Sequence, residues 1–156
     1  MAASPKKLGE LLIEKGLISP SQLDAALLEQ TRTKEFLGLT LIRRGALKEQ
    51  DLAKALSEQF KLPIITLKDK FLDWDFLKDF DSELIIEHKC FPVSRTDYSL
   101  TVAITNPLDV WAIEKAERQA PPGSKVKLVL TSIGDMADAI ARYKEYMRKH
   151  ISDILP

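Results

Sequence analysis

A stretch of 24 residues occurs twice in this chain, and nothing else in the sequence limits the fold as much. Residues 7–30 read KLGELLIEKGLISPSQLDAALLEQ, and residues 36–59 read FLGLTLIRRGALKEQDLAKALSEQ. Offset by 29 residues (36 − 7), the copies agree at 10 of 24 positions: Leu8/Leu37, Gly9/Gly38, Leu12/Leu41, Ile13/Ile42, Gly16/Gly45, Leu23/Leu52, Ala26/Ala55, Leu27/Leu56, Glu29/Glu58 and Gln30/Gln59. Ordinary residue usage would give about one or two. Two copies are too few for a solenoid, so the repeat predicts two helical hairpins closing on one another.

Each copy carries its own punctuation. Leu8, Leu11, Leu12 and Ile13 suit a short helix, and Gly16 stands where a left-handed cap ends it cheaply. Ser19-Pro20-Ser21-Gln22 then opens a second helix, with serine as cap, proline at the first helical position and glutamine three on. Leu23, Leu27 and Gln30 share one face of that helix. The second copy repeats this with Gly45 as stop and Leu52, Leu56 and Gln59 as the face, although Lys48 replaces the serine cap. Four helices are expected up to about Phe60.

The periodicity changes after that. Lys61-Leu62-Pro63 breaks the helix, and Ile64–Leu67 is a short apolar run. Residues 68–80 set Phe71, Trp74, Phe76 and Phe80 among aspartates, a satellite core or an aromatic platform. Asp81-Ser82 can cap a helix through Lys89. Cys90–Arg95 and Leu100–Thr105 read as a hairpin around a polar turn. A helix headed by Asp109 runs to about Arg118, and a strand follows at Lys125–Leu130, suggesting a crossover within one sheet. A last helix runs from Ile133 to about Arg148, with Met136, Ala137, Ile140, Tyr143 and Met147 on one face. The expected fold class is α+β: a four-helix repeat module at 1–60, then a small α/β sandwich-like domain with a three-stranded sheet at 61–156.

Composition removes several function classes. Lysine plus arginine and aspartate plus glutamate both number 23, so the chain lacks the basic field of a general nucleic-acid binder. No apolar run approaches the ~20 residues of a membrane span, and the N-terminus lacks the apolar core of a signal peptide. The single Cys90 fits a reducing, cytoplasmic compartment and a buried position. None of the six glycines begins a phosphate loop. His88 and His150 have no second ligand at metal spacing. The expectation is a non-enzyme with no cofactor and no metal.

Gln30 and Gln59 draw an amide towards an apolar face, and a buried amide needs partners. Either each ties one hairpin to the backbone of the other, or leucines pack the faces of a flat purine while the amide reads its edge. The Leu-Gly pairs start helices whose free N–H groups can receive phosphate, and the glycine lets the backbone approach closely. Arg43-Arg44 are phosphate contacts or a solvated face.

The doubled pattern L-G-x-x-L-I-x-x-G, then L-x-x-x-L-x-x-Q, with the five-residue spacer Thr31 to Glu35, resembles the N-terminal module (MshEN or GspE N-terminal type) of bacterial type II secretion and type IV pilus assembly ATPases. Leu62-Pro63 and the run from Val102 to Asp109 resemble the rest of that module. The resemblance implies a regulatory module binding cyclic di-GMP through Lys7, Leu8, Gly9, Leu12, Gly16, Leu23, Leu27 and Gln30. The matching set in the second copy is Phe36, Leu37, Gly38, Leu41, Gly45, Leu52, Leu56 and Gln59. It also implies, as the other branch of the family, a module docking a motor domain onto an inner-membrane platform protein. Two heads depart from the family's arginine: Lys7 keeps charge but loses the planar fork, and Phe36 loses the charge. Ala46 also replaces a larger aliphatic.

Overall fold

A computed structural model of the chain describes residues 7–68, 70 and 72–150. The polar lead at 1–6 and Phe71 lie outside the described residues. The chain divides into two compact units, residues 1–62 and 63–156.

The first unit holds α1 (Leu8–Glu14), α2 (Pro20–Thr33), α3 (Leu37–Arg43) and α4 (Glu49–Phe60). Both copies end their first helix in the same way. Gly16 and Gly45 take φ of 73° and 77°. The amide two residues beyond the C-cap donates five residues back, Leu17 to Leu12 and Ala46 to Leu41, each at 2.9 Å. This closure satisfies carbonyls that a helix end leaves bare, and its left-handed residue favours glycine. Ser19 and Gln22 cap α2 reciprocally, with the Gln22 amide 3.2 Å from Ser19 Oγ and the Ser19 amide 2.8 Å from Gln22 Oε1. Lys48 gives α4 no side-chain cap, and Glu49 and Asp51 supply negative charge to its first turn instead.

α2 packs chiefly on α3, while α1 meets α3 and α4. Each copy's second helix therefore leans on the other copy's first. Counterpart pairs Leu12/Leu41, Ile18/Leu47 and Ala26/Ala55 are all buried. The symmetry fails at the next residue: Leu56 is 1% exposed and Leu27 is 40% exposed.

The second unit is built on a sheet of order β1-β2-β3. β1 (Phe91–Arg95) runs antiparallel to β2 (Ser99–Ile104), and β2 runs parallel to β3 (Lys125–Leu130). Pairing passes from Pro92↔Val102 to Ser94↔Thr101, so Val93 is an extra residue that bends the edge strand. α7 (Val110–Arg118) forms the crossover between the parallel strands, capped by Asp109 Oδ1 accepting from the Ala112 amide at 3.1 Å. α8 (Ile133–Lys149) opens on a Ser132 cap.

Two local expectations change, the end of the helix at 81–89 and the place of Ala137 on the last helix. Ile64–Leu67 forms no strand of its own but a single parallel bridge at Ile64↔Leu130. Beyond it, Leu67 is held by its backbone: its amide donates to Asp135 and its carbonyl accepts from Arg142, both on α8. Residues 68–80 contain a one-turn helix, α5 (Trp74–Leu77), that buries Phe76 and Leu77, with Phe80 buried just beyond it. The short helix α6 (Ser82–Ile86) stops before Lys89, which takes a positive φ of 57°. On α8 the buried face is Met136, Ala139, Ile140 and Tyr143, with Ala137 exposed. Positions 136, 139, 140 and 143 follow the 3–4 spacing of one helical face, whereas 137 lies at its edge.

Candidate functional site

The two motif heads occupy equivalent places. Lys7 and Phe36 are the N-cap residues of α1 and α3, and neither side chain bonds to the helix it precedes. Lys7 is exposed and Phe36 is half-buried. The first amides of each helix have no partner within that helix. Both helices have seven residues, so a phosphate there would draw mainly on individual N–H groups and side chains.

The glycines that follow have a packing reason. A Cβ on Gly9 would stand 2.7 Å from Leu23 Cδ1, and one on Gly38 would stand 2.7 Å from Leu52 Cδ2. Hydrogen in place of a methyl lets the second helix of each copy press a leucine onto the first. Gly16 and Gly45 are different: both are exposed, and beyond the chain neighbours no described residue lies within 4 Å of an added Cβ. Their part is the turn.

Burial sorts the sixteen motif residues. Leu8, Leu12, Leu41, Leu52 and Leu56 are core, at 5% exposure or less. Leu23 and Leu37 are half-buried, and Leu27 is open. Gln30 Nε2 donates to the carbonyl of Glu35 at 2.8 Å, tying the last turns of α2 to the spacer. Gln59 is half-buried in the last turn of α4. Lys7, Leu23, Leu27, Gln30, Phe36, Leu37 and Gln59 thus keep accessible surface.

An ion-pair cluster beside the second head escaped the sequence reading. The Glu29 carboxylate lies 3.2 Å from Arg43, 3.9 Å from Arg32 and 4.0 Å from Arg44. Glu35, directly before Phe36, accepts from Arg43 at 2.6 Å and from Thr40 Oγ1 at 3.3 Å. The Arg43 hydrogen bond holds the Glu35 carboxyl below its ordinary range, and Glu35 and then Glu29 raise Arg43. Glu29 and Glu58 are identical in the two copies, a signal that was visible, but their basic partners lie on helices brought close by folding.

In the second unit, His88 Nδ1 stands 3.3 Å from Asp109 Oδ2, and its ring lies 4.5 Å from Trp111. Cys90 is buried, and its sulfur faces the His88 carbonyl at 3.7 Å. Among the described residues no group of three or more His, Cys, Asp or Glu is placed to hold a metal ion, and no helix is long and apolar enough to cross a membrane.

The MshEN domain family matches residues 60–150, which takes in the second unit up to residue 150 and leaves the repeats outside. The type IV pilus assembly ATPase PilB of Myxococcus xanthus is 33% identical over 149 residues, which is 96% of this chain and 26% of that relative. PilB of Thermus thermophilus is 53% identical over 53 residues, covering 34% of this chain and 6% of that relative. The chain therefore spans about a quarter, at most, of these relatives. A structure of MshE with cdg superposes at a TM-score of 0.72 and 32% identity, over 88% of this chain and 99% of that one. The N-terminal domain of XpsE superposes at 0.71 with 22% identity, over 91% and 98%, a likeness of fold alone.

Proposed function

The chain belongs to the MshEN domain family, and from that premise we propose that it is a cyclic di-GMP-binding regulatory module without catalytic activity of its own. The observation that carries this reading is the shared fold and 32% identity with MshE, whose structure holds cdg, which we take as cyclic di-GMP. The doubled motif adds to it, because a ligand with two purines and two phosphates is matched by two copies of one unit.

In this reading the first copy offers a cation at Lys7 and an open apolar surface at Leu27, beside the half-buried Leu23. A purine can bury a face on those leucines. Gln30 then reads the edge with the amide atoms that its bond to Glu35 leaves over, since an amide carries two donors and an acceptor. The second copy offers the Phe36 ring, on which a base or ribose can pack. The relatives continue far beyond this chain, so we place the module ahead of an ATPase motor, with cyclic di-GMP altering how the two work together.

A second reading, a docking module for an inner-membrane platform protein that binds no nucleotide, draws on Phe36 and on the structural bond of Gln30. Titration calorimetry with cyclic di-GMP, against GTP and cyclic di-AMP, separates the two. Saturable binding of cyclic di-GMP alone supports the regulatory reading; no heat with any nucleotide, from folded protein, supports docking.

A further inference from the structure

We infer that Arg43 is the anion contact of the second motif copy, and that Glu35 competes with the ligand phosphate for it. The inference rests on the nucleotide-binding reading above and names how the site is tuned.

The second head lacks a cation of its own, because Phe36 stands where the first copy has Lys7. Folding brings one there: the Arg43 guanidinium lies 2.6 Å from the carboxylate of Glu35, the residue directly before Phe36. Glu35 is also the residue whose carbonyl receives Gln30. Arg43, the end of α2 and the second head therefore meet at one residue.

The cluster can release Arg43 without stranding either acid. Glu29 keeps Arg32 and Arg44 within 4.0 Å, and Glu35 keeps the Thr40 hydroxyl at 3.3 Å. Among the described ion pairs of this cluster, three guanidinium groups face two carboxylates, an excess of the positive sign that a phosphate needs. Arg43 is also 45% exposed in its side chain, so a ligand can reach it from solvent. The Glu35 contact is an ion pair near the surface, which stabilises little and is displaced at small expense. A phosphate accepts the guanidinium fork in the same two-pronged way as a carboxylate.

The test is the affinity for cyclic di-GMP of wild type, Glu35→Gln, Arg43→Gln and the double variant, each shown folded by circular dichroism. Removing the competing carboxylate is expected to tighten binding at least threefold, and Arg43→Gln to weaken it at least threefold. The double variant is expected to bind like Arg43→Gln, because Glu35 acts through Arg43. Glu35→Gln binding no tighter than wild type overturns the competition. An equal gain from Glu35→Gln in the presence and absence of Arg43 overturns it too, as a general charge effect. If wild type and all variants fail to bind at millimolar ligand, the nucleotide reading has failed and the inference falls with it.

Discussion

Lys15, at the end of α1, forms an ion pair with Glu58 in the last turn of α4. Moved on by one repeat, the same relation is Arg44, the C-cap of α3, facing Glu29 on α2 at 4.0 Å. Each copy's basic residue reaches the other copy's acid, as expected of two units exchanged by a two-fold rotation. A two-fold arrangement of two related hairpins suits a cyclic dinucleotide, whose two halves are identical. The departures from symmetry then become informative, because they mark where the two halves of a ligand would meet different surroundings.

Gly9 and Gly38 occupy equivalent positions but should respond differently to alanine. Each new methyl would meet a leucine end at 2.7 Å. Leu23 is half-buried and has room to turn away, while Leu52 is buried at 2% exposure, with Phe36 Cε1 a further 3.1 Å neighbour at Gly38. Alanine also gains up to about 1 kcal/mol of helix propensity. Gly9→Ala is expected within about 0.5 kcal/mol of wild type, and Gly38→Ala to lose about 1–3 kcal/mol by overpacking. Urea melts of both check this; equal losses would mean that Leu52 repacks as freely as Leu23.

Tyr143 on α8 is 1% exposed, and its hydroxyl has no hydrogen-bond partner among the described residues. Burial, then the charge of Asp81, raises its pKa, so the neutral phenol is the folded form. A buried hydroxyl without a partner stabilises nothing. Tyr143→Phe is therefore expected to leave stability unchanged or raise it by up to about 1 kcal/mol, against the usual loss of about that size when a bonded hydroxyl is removed. Thermal melts decide it, and a loss above about 2 kcal/mol would reveal a partner at the hydroxyl.

Burial pushes the Cys90 thiol up to about 12, with the Asp109 carboxylate adding to it. The raised pKa means that folded protein keeps the proton while unfolded chain loses it near pH 8.5. Its contribution is fully present below about pH 8.5 and declines by about 1.4 kcal/mol per pH unit until the folded thiol titrates near 12. Cys90→Ala should lack that slope in a comparison of stability between pH 8 and 10. A thiol reagent at pH 8 should label native protein about a hundredfold more slowly than denatured chain.

Much of the fold was legible because its signals are local. Glycine after Lys15 and Arg44, the serine–glutamine box at 19–22, and the run from Lys125 to Leu130 each determine structure within a few residues. The illegible parts depend on partners distant in sequence. Leu67 is placed by Asp135 and Arg142, and nothing in Ile64–Leu67 announces that its pairing ends after one bridge. For the candidate site, the repeat drew attention to leucine, glycine and glutamine alike. Which leucines are core and which are open follows from the cross-packing of the hairpins, and a repeat aligned to itself carries no trace of that.

Leu27 and Leu56 are the sharpest case, because one motif position has two different surroundings. Leu56, at 1% exposure, is a core residue, and Leu56→Ala is expected to lose about 2–5 kcal/mol. Leu27, at 40% exposure, should lose less than half as much on the same truncation. If Leu27 receives a purine face, its removal exposes apolar area that the ligand would have covered. At about 25 cal/mol per Å² over roughly 40 Å², that amounts to about 1 kcal/mol, or about a fivefold weaker affinity for cyclic di-GMP. The pair of variants therefore separates stability from binding: Leu56→Ala should shift the melt strongly, and Leu27→Ala should shift the titration with little change in the melt. Calorimetric titration and thermal melts of both variants, below the melting point of the weaker, make the comparison. Unchanged affinity in Leu27→Ala, with wild type binding normally, would remove Leu27 from the site and move the base onto the Phe36 side of the repeat.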